Sequence, residues 1–430
     1  MAQSERDRFE SFRKNINPGW IEKALEATGT ATVRRRRLPA EQVIWLVLGM
    51  ALFRDLAITD VVRRLDLLLP GEKPDVARAS VSEARTRLGP APLKWLFEFC
   101  ARRWALASAK EWSWRGLSIF GIDGTTVRVP DSAANHMYFG RSVSGRGQGG
   151  YPMLRLVTVM ALRSHLLLGG RFGPYRDSER ALAQELWEEL PADSLILFDK
   201  GFWSAETIHQ LAGRKNTHWL TRARKDLKWK RIRRIGKGDE LVEFTTPELV
   251  LKRAPDLPTT FQARALSYRR RGFQTQKLLT SLLDPEKFPS TELVELYHER
   301  WEIELGYDEV KTEMLEREEA IRSQNPDGIE QEIWGIALAY NLIRLEMARA
   351  ARAAGVTPSR ISFVTGLRFV REELMLCAII EGVGTIPKRL DRLTRELARW
   401  VLPPRRSDRT HPRAVKIKMT NYPKKQVVHA

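Results

Sequence analysis

The order of strand and helix patterns in the middle of the chain constrains the fold more than any other feature. Between residues 117 and 221, apolar runs bounded by turn residues alternate with two amphipathic segments in the order β-β-β-α-β-α-β. The predicted strands cover 117–122, 151–161, 165–172, 195–198 and 217–221, and the predicted helices cover 178–190 and the stretch from 204. This order predicts an α/β sheet domain with mixed strand directions.

The same order is that of the ribonuclease H-like fold, so the core is expected to be of this type. Ahead of it, helical periodicity in 40–52, 58–65 and 80–88 predicts a small N-terminal helical domain. The third of these helices follows two others and mixes Ser, Arg and Thr on its outer side, as the reading helix of a helix-turn-helix does. Arg85 and Arg87 are its candidate DNA contacts, and an ordinary surface helix is an equally good interpretation.

Beyond the core, residues 222–289 break the alternation with glycines, prolines and short strand patterns, one of them at 249–252, and indicate a β-rich insertion. A long helix with Ser290 as its cap is predicted over 290–315. The predicted division of the chain is a helical DNA-binding domain (1–108), the ribonuclease H-like core (109–221 and 290–325), the basic insertion (222–289), a C-terminal helical region (326–402) and a basic tail (403–430).

Positive charge is concentrated in two of these segments. The chain carries a formal net charge of +19 at pH 7. Residues 222–277 contain 16 basic and 6 acidic side chains, and residues 403–430 contain 8 basic side chains with Asp408 as the only acid, so the two segments hold +17 of the +19. Concentrated Lys and Arg suit a polyanion, and nucleic acid is the expected partner. A solvated surface stays an alternative for a short basic run such as 34–37.

Neither a membrane anchor nor an export signal is expected. The longest apolar run, 43–53, has 11 residues, whereas a membrane-spanning helix requires roughly 20. The first 13 residues are polar and charged and lack the apolar stretch of a secretory signal. The expected location is the cytoplasm, in association with the nucleoid, and no membrane partner is expected.

Asp123 and Asp199 stand in the same local setting. Each follows an apolar strand pattern, and each is followed by a glycine within two residues. Ligand sites of α/β sheets lie beyond the carboxyl ends of strands, and a pair of carboxylates there can hold Mg²⁺ against a phosphate. A single aspartate in such a position is more often a turn or cap residue, so the prediction depends on the matched pair.

The predicted helix over 290–315 supplies a third acid. At about 100° per residue, Tyr297, Arg300, Glu304 and Lys311 share a sector of about 60°. An apolar stripe runs beside this polar face and would hold it close to the sheet. A surface helix with salt bridges is the alternative, but it does not explain an aromatic, an Arg and a Lys on one sector.

The other acids of this helix are less suitable. Glu299, Glu302 and Glu313 fall on the far side of the helix, which leaves Glu304 as the favoured acid, with Asp308 as second choice.

Taken together, these residues resemble the three motifs of the insertion-sequence-four family of bacterial DDE transposases. The matching residues are Asp123-Gly124-Thr125, Asp199-Lys200-Gly201-Phe202 and Tyr297-x2-Arg300-x3-Glu304-x6-Lys311. The intact spacing of the third motif is specific, whereas a lone Asp-Gly-Thr would be a weak signal. The similarity covers most of the chain, and Lys200 stands where many relatives have Arg.

The resemblance implies a cut-and-paste transposase that acts on the terminal inverted repeats of its element and on target DNA, through a hairpin intermediate and as a homodimer on DNA. The catalytic and metal-binding residues would be Asp123, Asp199 and Glu304, holding two Mg²⁺ ions that Mn²⁺ can replace. The residues that contact the DNA backbone would be Tyr297, Arg300 and Lys311.

Hairpin formation requires a base that leaves the stack and an aromatic side chain that receives it. Trp229 is the candidate, although a core tryptophan of the insertion is the stronger interpretation of this residue alone. Arg231, Arg233 and Arg234 lie in the same basic run and would contact DNA near the cleaved end.

Two other classes of protein share parts of this pattern. A structure-selective nuclease on the same core would keep the three carboxylates but would not need the basic insertion or the Tyr-Arg-Lys face. A domesticated DNA-binding protein would be expected to lack at least one carboxylate, and none is missing.

Overall fold

The computed structural model describes residues 16–31, 38–65, 67, 76–144, 147–270, 274–316, 321–377 and 386–403. The helices in these ranges are α1 (Pro18–Ala27), α2 (Ala40–Leu52), α3 (Ile58–Arg64), α4 (Arg78–Leu88), α5 (Ala91–Glu111), α6 (Ala133–Phe139), α7 (Glu179–Gln184), α8 (Ala205–Ala212), α9 (Glu248–Arg253), α10 (Ser290–His298), α11 (Trp301–Asp308), α12 (Pro326–Ala353), α13 (Phe363–Cys377) and α14 (Ile386–Arg399). The strands are β1 (Ser118–Arg128), β2 (Arg141–Ser144), β3 (Gly147–Ala161), β4 (Leu166–Pro174), β5 (Ser194–Phe198), β6 (Thr217–Arg222), β7 (Lys230–Gly236), β8 (Asp239–Thr245), β9 (Thr260–Tyr268) and β10 (Gln276–Thr280). The basic run 34–37 and the tail beyond Pro403 lie outside the described residues. Among the described helices, none is long and apolar enough to cross a membrane.

The described strands form one ten-stranded sheet that continues from the core into the insertion. The order across it is β4-β3-β1-β5-β6-β10-β9-β8-β7, and the short β2 also pairs with β3. β1 runs antiparallel to β3 and parallel to β5, and β5 runs parallel to β6. The strands from β4 to β6 therefore have the order and directions of a ribonuclease H-like core, as predicted. β10 joins the insertion to that core by pairing antiparallel with β6.

The central strands are buried on both faces. Along β5, Leu195 and Leu197 pack in the cluster that includes the N-terminal helices and α12, whereas Ile196 and Phe198 pack on the opposite face with α7 and α8. A continuous apolar run of this kind is typical of parallel strands between two helical layers. The alternation also determines the face on which the residue after β5, Asp199, projects.

The N-terminal helices predicted at 40–52, 58–65 and 80–88 are present as α2, α3 and α4. α4 ends at Leu88, and Gly89, the residue after the helix, adopts φ 65°. This left-handed conformation favours glycine because a Cβ atom would clash with the backbone there.

The strand predicted at 249–252 is wrong, because these residues form the helix α9. A short run of apolar residues is compatible with either structure, and periodicity cannot separate the two. The local contacts favour the helix: Lys252 Nζ lies 2.8 Å from Glu248 Oε1, one helical turn away, and Glu248 lies in the first turn, where a negative charge is stabilised.

Two further helix predictions need correction. The helix predicted over 178–190 is the shorter α7, capped by the Ser178 hydroxyl, which accepts the N–H of Ala181 at 3.0 Å, and a separate 3₁₀ turn over Trp187–Glu189. Ser290 is not a cap either, because it is the first residue of α10 and no side chain caps that helix.

The segment that carries Glu304 is not the single helix predicted over 290–315. Glu299 and Arg300 separate α10 from α11, and a π-helix over Glu309–Met314 follows α11. At the break each backbone N–H bonds to the carbonyl three residues earlier, at 2.9 Å for Glu299 and 3.2 Å for Arg300. Such tight turns keep helical backbone angles, so an amphipathic pattern does not reveal them.

Candidate active site

Asp123 and Asp199 lie at the same level of two neighbouring strands. The parallel ladder between β1 and β5 ends at the pair Ile122 and Phe198. Asp123 and Asp199 are the residues that directly follow this pair. Because side chains alternate between the faces of a sheet, both aspartates project on the face of Leu197, where α12 and the N-terminal helices pack.

The prediction that Asp123 ends its strand is wrong. β1 continues to Arg128 because β3 keeps pairing with it, and Asp123 lies opposite Thr158 in this antiparallel pair. The backbone N–H of Gly124 donates to Asp123 Oδ1 at 2.8 Å. Asp123 therefore projects from within a strand, at the point where its parallel neighbour stops.

Arg300 connects Glu304 to Asp123. Its Nη2 donates to Glu304 Oε1 at 2.7 Å, and its Nη1 lies 3.7 Å from Asp123 Oδ2. The Arg300 side chain is 13% exposed, so its charge is poorly solvated and the two carboxylates are its neutralising partners. The structure thus brings the predicted glutamate to the predicted aspartate through a guanidinium that bridges them.

α11 is held against β1 by close contacts. The Tyr307 hydroxyl donates to the backbone carbonyl of Asp123 at 2.6 Å, and because its only proton is used there, the Thr158 hydroxyl donates to it at 2.9 Å. Gly306 packs against the neighbouring strand β3: a Cβ atom there would lie 2.3 Å from Cε of Met160, whose flexible end would have to move. Sequence reasoning missed Tyr307, although an aromatic three residues after Glu304 on a helix is a visible signal.

The other two residues of the third motif flank this contact. Lys311 donates from Nζ to the Thr125 hydroxyl, two residues beyond Asp123 on β1. Tyr297 is buried, and burial raises the pKa of its hydroxyl to about 12, with Arg300 opposing the rise and Asp199 adding to it. All four residues of the motif therefore face β1 and β5, as the angular analysis predicted.

The Asp123 carboxyl sits where negative charge is costly. Burial raises its pKa to about 6, the Gly124 N–H and Arg300 act against this rise, and Glu304 and Glu179 add to it. Glu179 on α7 was not singled out in the sequence, where it looks like an ordinary first-turn acid. It lies so close that a Cβ atom on Gly124 would be 2.6 Å from its Cδ atom, and Arg155 pairs with it at 2.6 Å.

The carboxylates do not form a closed metal cage. In the described part of the chain, no three or more His, Cys, Asp and Glu side chains are grouped so that they could hold a metal ion. Asp123 and Asp199 lie on adjacent strands, and Arg300 lies between Asp123 and Glu304. The donor atoms of the three carboxylates fit a hard divalent cation, because carboxylate oxygens are the ligands such ions prefer.

An exposed tryptophan stands beside this cluster. Trp301, the first residue of α11, is 47% exposed, and the guanidinium carbon of Arg300 lies 5.9 Å from its ring centroid. Sequence reasoning passed over it, although a tryptophan between two motif residues was a usable signal. The predicted aromatic, Trp229, is half-buried against Phe244 at 5.7 Å, with Lys277 Nζ 4.9 Å above its ring.

The three predicted arginines of the insertion lie on β7, which is the outermost strand of the sheet. Arg231, Arg233 and Arg234 are all exposed. Arg231 lies 3.6 Å from Glu240 on the neighbouring strand, and Arg234 donates to the carbonyl of Gly236 at 3.2 Å. These exposed contacts leave most of the strand's positive charge facing solvent, separate from the carboxylate cluster.

Arg85 is not on the outer face of α4, contrary to the prediction for a DNA contact. Its Nε donates to Gln331 Oε1 at 2.8 Å, its Nη2 donates to the Ser323 hydroxyl at 3.0 Å, and Glu332 lies 3.5 Å away. Burial lowers the pKa of this guanidinium, and the nearby Glu332 opposes the decrease without cancelling it. Arg85 therefore ties α4 to α12, whereas Arg87 is exposed.

These positions predict different effects of replacing the two arginines. Arg85→Ala removes the buried donor of Gln331 Oε1 and one cation beside Glu332, and should lower the free energy of unfolding by about 1–3 kcal/mol. Arg87→Ala should leave stability unchanged and, if α4 reads DNA, should weaken the preference for terminal over random duplex. Urea denaturation and competition gel shifts on both full-length variants measure this, and equal losses of stability would contradict the assignment.

A ribonuclease H-like sheet that carries two aspartates at one level of adjacent strands, with a glutamate on the helix packed beside them, defines the DDE class of DNA-processing enzymes. The family model described as "Transposase DDE domain" matches residues 114–342, and the model described as "Insertion element 4 transposase N-terminal" matches residues 6–98. The chain belongs to the insertion element 4 family of DDE transposases. It is thus an enzyme that cleaves and joins DNA, and the DDE domain implies the use of a divalent metal ion.

A known transposase agrees with this family. The transposase InsG for insertion sequence element IS4 of Escherichia coli (strain K12) is 38% identical over 426 residues, which cover 98% of this chain and 95% of InsG. Among solved structures, a cryo-EM structure of the piggyBac transposase synaptic complex with hairpin DNA covers 93% of this chain and 86% of its own, with 13% identity and a TM-score of 0.45. The resemblance to the insertion-sequence-four family seen in the three motifs is confirmed.

Proposed function

We propose that the protein moves its own insertion sequence by a cut-and-paste route, in which it cleaves DNA at terminal inverted repeats and joins the freed ends to target DNA. The observation that carries the proposal is the placement of Asp123 and Asp199 at one level of adjacent parallel strands, with Glu304 linked to Asp123 through Arg300. Carboxylates so placed suit phosphodiester chemistry, in which a protein mainly holds metal and phosphate in line.

The catalytic residues of this proposal are Asp123, Asp199 and Glu304, which would hold two Mg²⁺ ions or two Mn²⁺ ions. When bound, the metal supplies Lewis-acid stabilisation of the charge that develops on the scissile phosphate. Burial raises the pKa of Asp123 to about 6, so the ionised carboxylate would gain from a nearby cation.

Arg300, Lys311 and Tyr297 are proposed to contact the DNA backbone beside the carboxylates. Arg300 pairs with Glu304, and its planar fork suits a phosphate equally well. Lys311 reaches the same strand through Thr125. These positive groups lie beside the carboxylates, where we propose that the phosphodiester binds.

We further propose a hairpin on the transposon end, with Trp301 as the aromatic that stacks on the displaced base. Its exposure and its place beside Arg300 support this role. Trp229, the earlier candidate, is engaged by Phe244 and Lys277 and fits better as a packing residue of the insertion.

Replacing the two tryptophans separates these roles. Base–aromatic stacking contributes about 1–3 kcal/mol, so Trp301→Ala should lower hairpin yield by about 5- to 150-fold while the first nick persists. Trp229→Ala should affect hairpin yield less and lower stability instead. Denaturing gels of end-labelled duplex and thermal denaturation provide the two readouts, and a selective hairpin defect in Trp229→Ala alone would reverse the assignment.

The proposal itself is tested with a labelled duplex that carries the element's terminal repeat, in the presence of Mg²⁺ or Mn²⁺. Cut-and-paste transposition predicts a nick, then a hairpin, then a blunt end, and joined products when target plasmid is added. Cleavage without joining would favour a structure-selective nuclease, and binding without cleavage would favour a domesticated DNA-binding protein.

The two ends of one element must be held together during excision, so we propose a homodimer on DNA, with one set of carboxylates for each end. The mass of the complex with paired-end DNA tests this, because a monomer that performs both cleavages would contradict it. Such a complex would form at the nucleoid in the cytoplasm.

A further inference from the structure

The turn between β3 and β4 contacts the helical segment that carries Glu304. Arg163 and His165 lie in this turn, and their partners on the segment are glutamates. These glutamates include Glu299 and Glu302, two of the acids that the angular analysis placed on the far side of the helix. Their position on the far side of the helix, away from the carboxylate cluster, allows them to contact this turn.

Arg163 holds the break between α10 and α11. Its Nε and Nη2 donate to the two carboxylate oxygens of Glu299 at 2.9 and 2.8 Å, a bidentate geometry. Its Nη1 donates to the carbonyl of Trp112 at 3.1 Å. The break is thereby fixed to the start of the core.

His165 holds the first turn of α11. It is 1% exposed and adopts φ 60°, and its Nε2 lies 2.9 Å from Glu302 Oε2. Arg344 contacts Nδ1 at 2.6 Å, and a guanidinium can only donate, so Nδ1 accepts and Nε2 carries the ring proton that is donated to Glu302. Arg344 also pairs with Glu309, the first residue of the π-helix, which accepts the Tyr340 hydroxyl at 2.7 Å.

We propose that this turn sets the rotation of α11 and so directs Glu304 towards Asp123, with His165 and Arg163 as positioning residues. On a helix, residues two apart differ by about 200°, so fixing Glu302 to the turn places Glu304 on the opposite side. The inference rests on the proposed role of Glu304 as a metal ligand. It gives the β3–β4 turn a place in metal binding, although none of its side chains belongs to the carboxylate cluster.

The test measures Mn²⁺ binding to the full-length protein by electron paramagnetic resonance, apart from any cleavage. Loss of an outer partner of a metal ligand typically weakens metal affinity about 10- to 100-fold, so Glu302→Ala should show a loss in this range. Glu302→Gln should restore affinity, because its amide oxygen accepts the same hydrogen bond from His165. Glu302→Leu, which keeps most of the side-chain volume but cannot accept this hydrogen bond, should lose affinity as Glu302→Ala does, whereas a general packing role would preserve affinity in Glu302→Leu.

A double-mutant cycle isolates the route of the effect. In a Glu304→Ala background, Glu302→Ala should cause no further loss of affinity. Arg163 is partly exposed, so Arg163→Ala provides a second variant if Glu302→Ala fails to fold, and about a tenfold loss is expected from it. Arg115→Ala, which removes an ion pair with Glu292 at the start of α10, is the matched control and should bind Mn²⁺ as wild type does.

Two results would overturn the inference in different ways. Wild-type Mn²⁺ affinity in folded Glu302→Ala and Arg163→Ala, with affinity lost in Glu304→Ala, contradicts the positioning role alone. Wild-type affinity in Glu304→Ala contradicts the proposed metal site, and the positioning role is then lost with it.

Discussion

Replacing Asp123, Asp199 or Glu304 by alanine should reduce DNA cleavage by roughly 1000-fold or more while duplex binding persists. The proposed metal site stabilises the transition state by several kcal/mol, and each 1.4 kcal/mol corresponds to a tenfold change in rate. Binding should persist because the phosphate contacts proposed for Arg300 and Lys311 do not depend on the carboxylates. Cleavage rates at saturating metal and gel-shift affinities measured on the same preparations check both parts.

Asp308→Ala is the matched control for Glu304→Ala. Asp308 lies one turn further along α11, is exposed, and accepts a hydrogen bond from the Thr312 hydroxyl at 2.7 Å. It makes no contact with Asp123 or Arg300 in the described structure, so its removal should leave cleavage within a few-fold of wild type. Substantial cleavage by Glu304→Ala together with an inactive Asp308→Ala would show that the wrong acid had been chosen.

The matching positions of Asp123 and Asp199 along neighbouring strands could be predicted from the sequence. The surroundings of Asp123 could not. Each aspartate follows an apolar run, and that run marks the buried parallel strands. The length of β1, however, depends on β3, which pairs with it as far as Arg128. Pairing between strands is a non-local property, so a strand that continues past a polar residue has no local signature.

The polar face of the segment over 290–315 was predicted correctly although its continuity was not. A tight turn at Glu299 and Arg300 and the π-helix over Glu309–Met314 change the rotation by amounts that an angular analysis at 100° per residue does not capture. The motif residues still face β1 because contacts at both ends constrain the segment. Those contacts, which involve Arg163 and residues of α12, lie far away in sequence.

Arg85 shows the limit of residue type as a guide to function. An arginine on a predicted surface helix suggests a DNA contact. Nothing in the sequence of residues 80–88 indicates that α12 covers this side chain. The partners that decide its role, Gln331 and Glu332, are more than 240 residues away. Arg87, two residues further along, is exposed and remains the candidate DNA contact of α4.

Breaking the buried ion pair between Glu309 and Arg344 should cause a large loss of stability. Arg344 is 1% exposed, and Glu309, His165 and the Tyr340 hydroxyl surround its guanidinium. Removing one partner of such a pair leaves the other charge buried, so Glu309→Ala should lower the free energy of unfolding by about 3–5 kcal/mol. Urea denaturation at pH 7 measures the difference, and Lys252→Ala, which removes the exposed pair with Glu248, should cost less than about 1 kcal/mol.

The stability that Glu309 contributes should also depend on pH in a defined direction. Burial alone would raise the pKa of its carboxyl, but the charge of Arg344 outweighs this and lowers the pKa from the ordinary value of 4.5 to about 2. A carboxyl whose pKa is depressed on folding contributes its full stabilisation above the unfolded value and loses it as the pH falls towards the folded value. The difference in unfolding free energy between wild type and Glu309→Gln should therefore be constant above pH 5 and shrink between about pH 4.5 and pH 2. A difference that stays unchanged across this window would mean that Arg344 is not stabilised by the charge of Glu309.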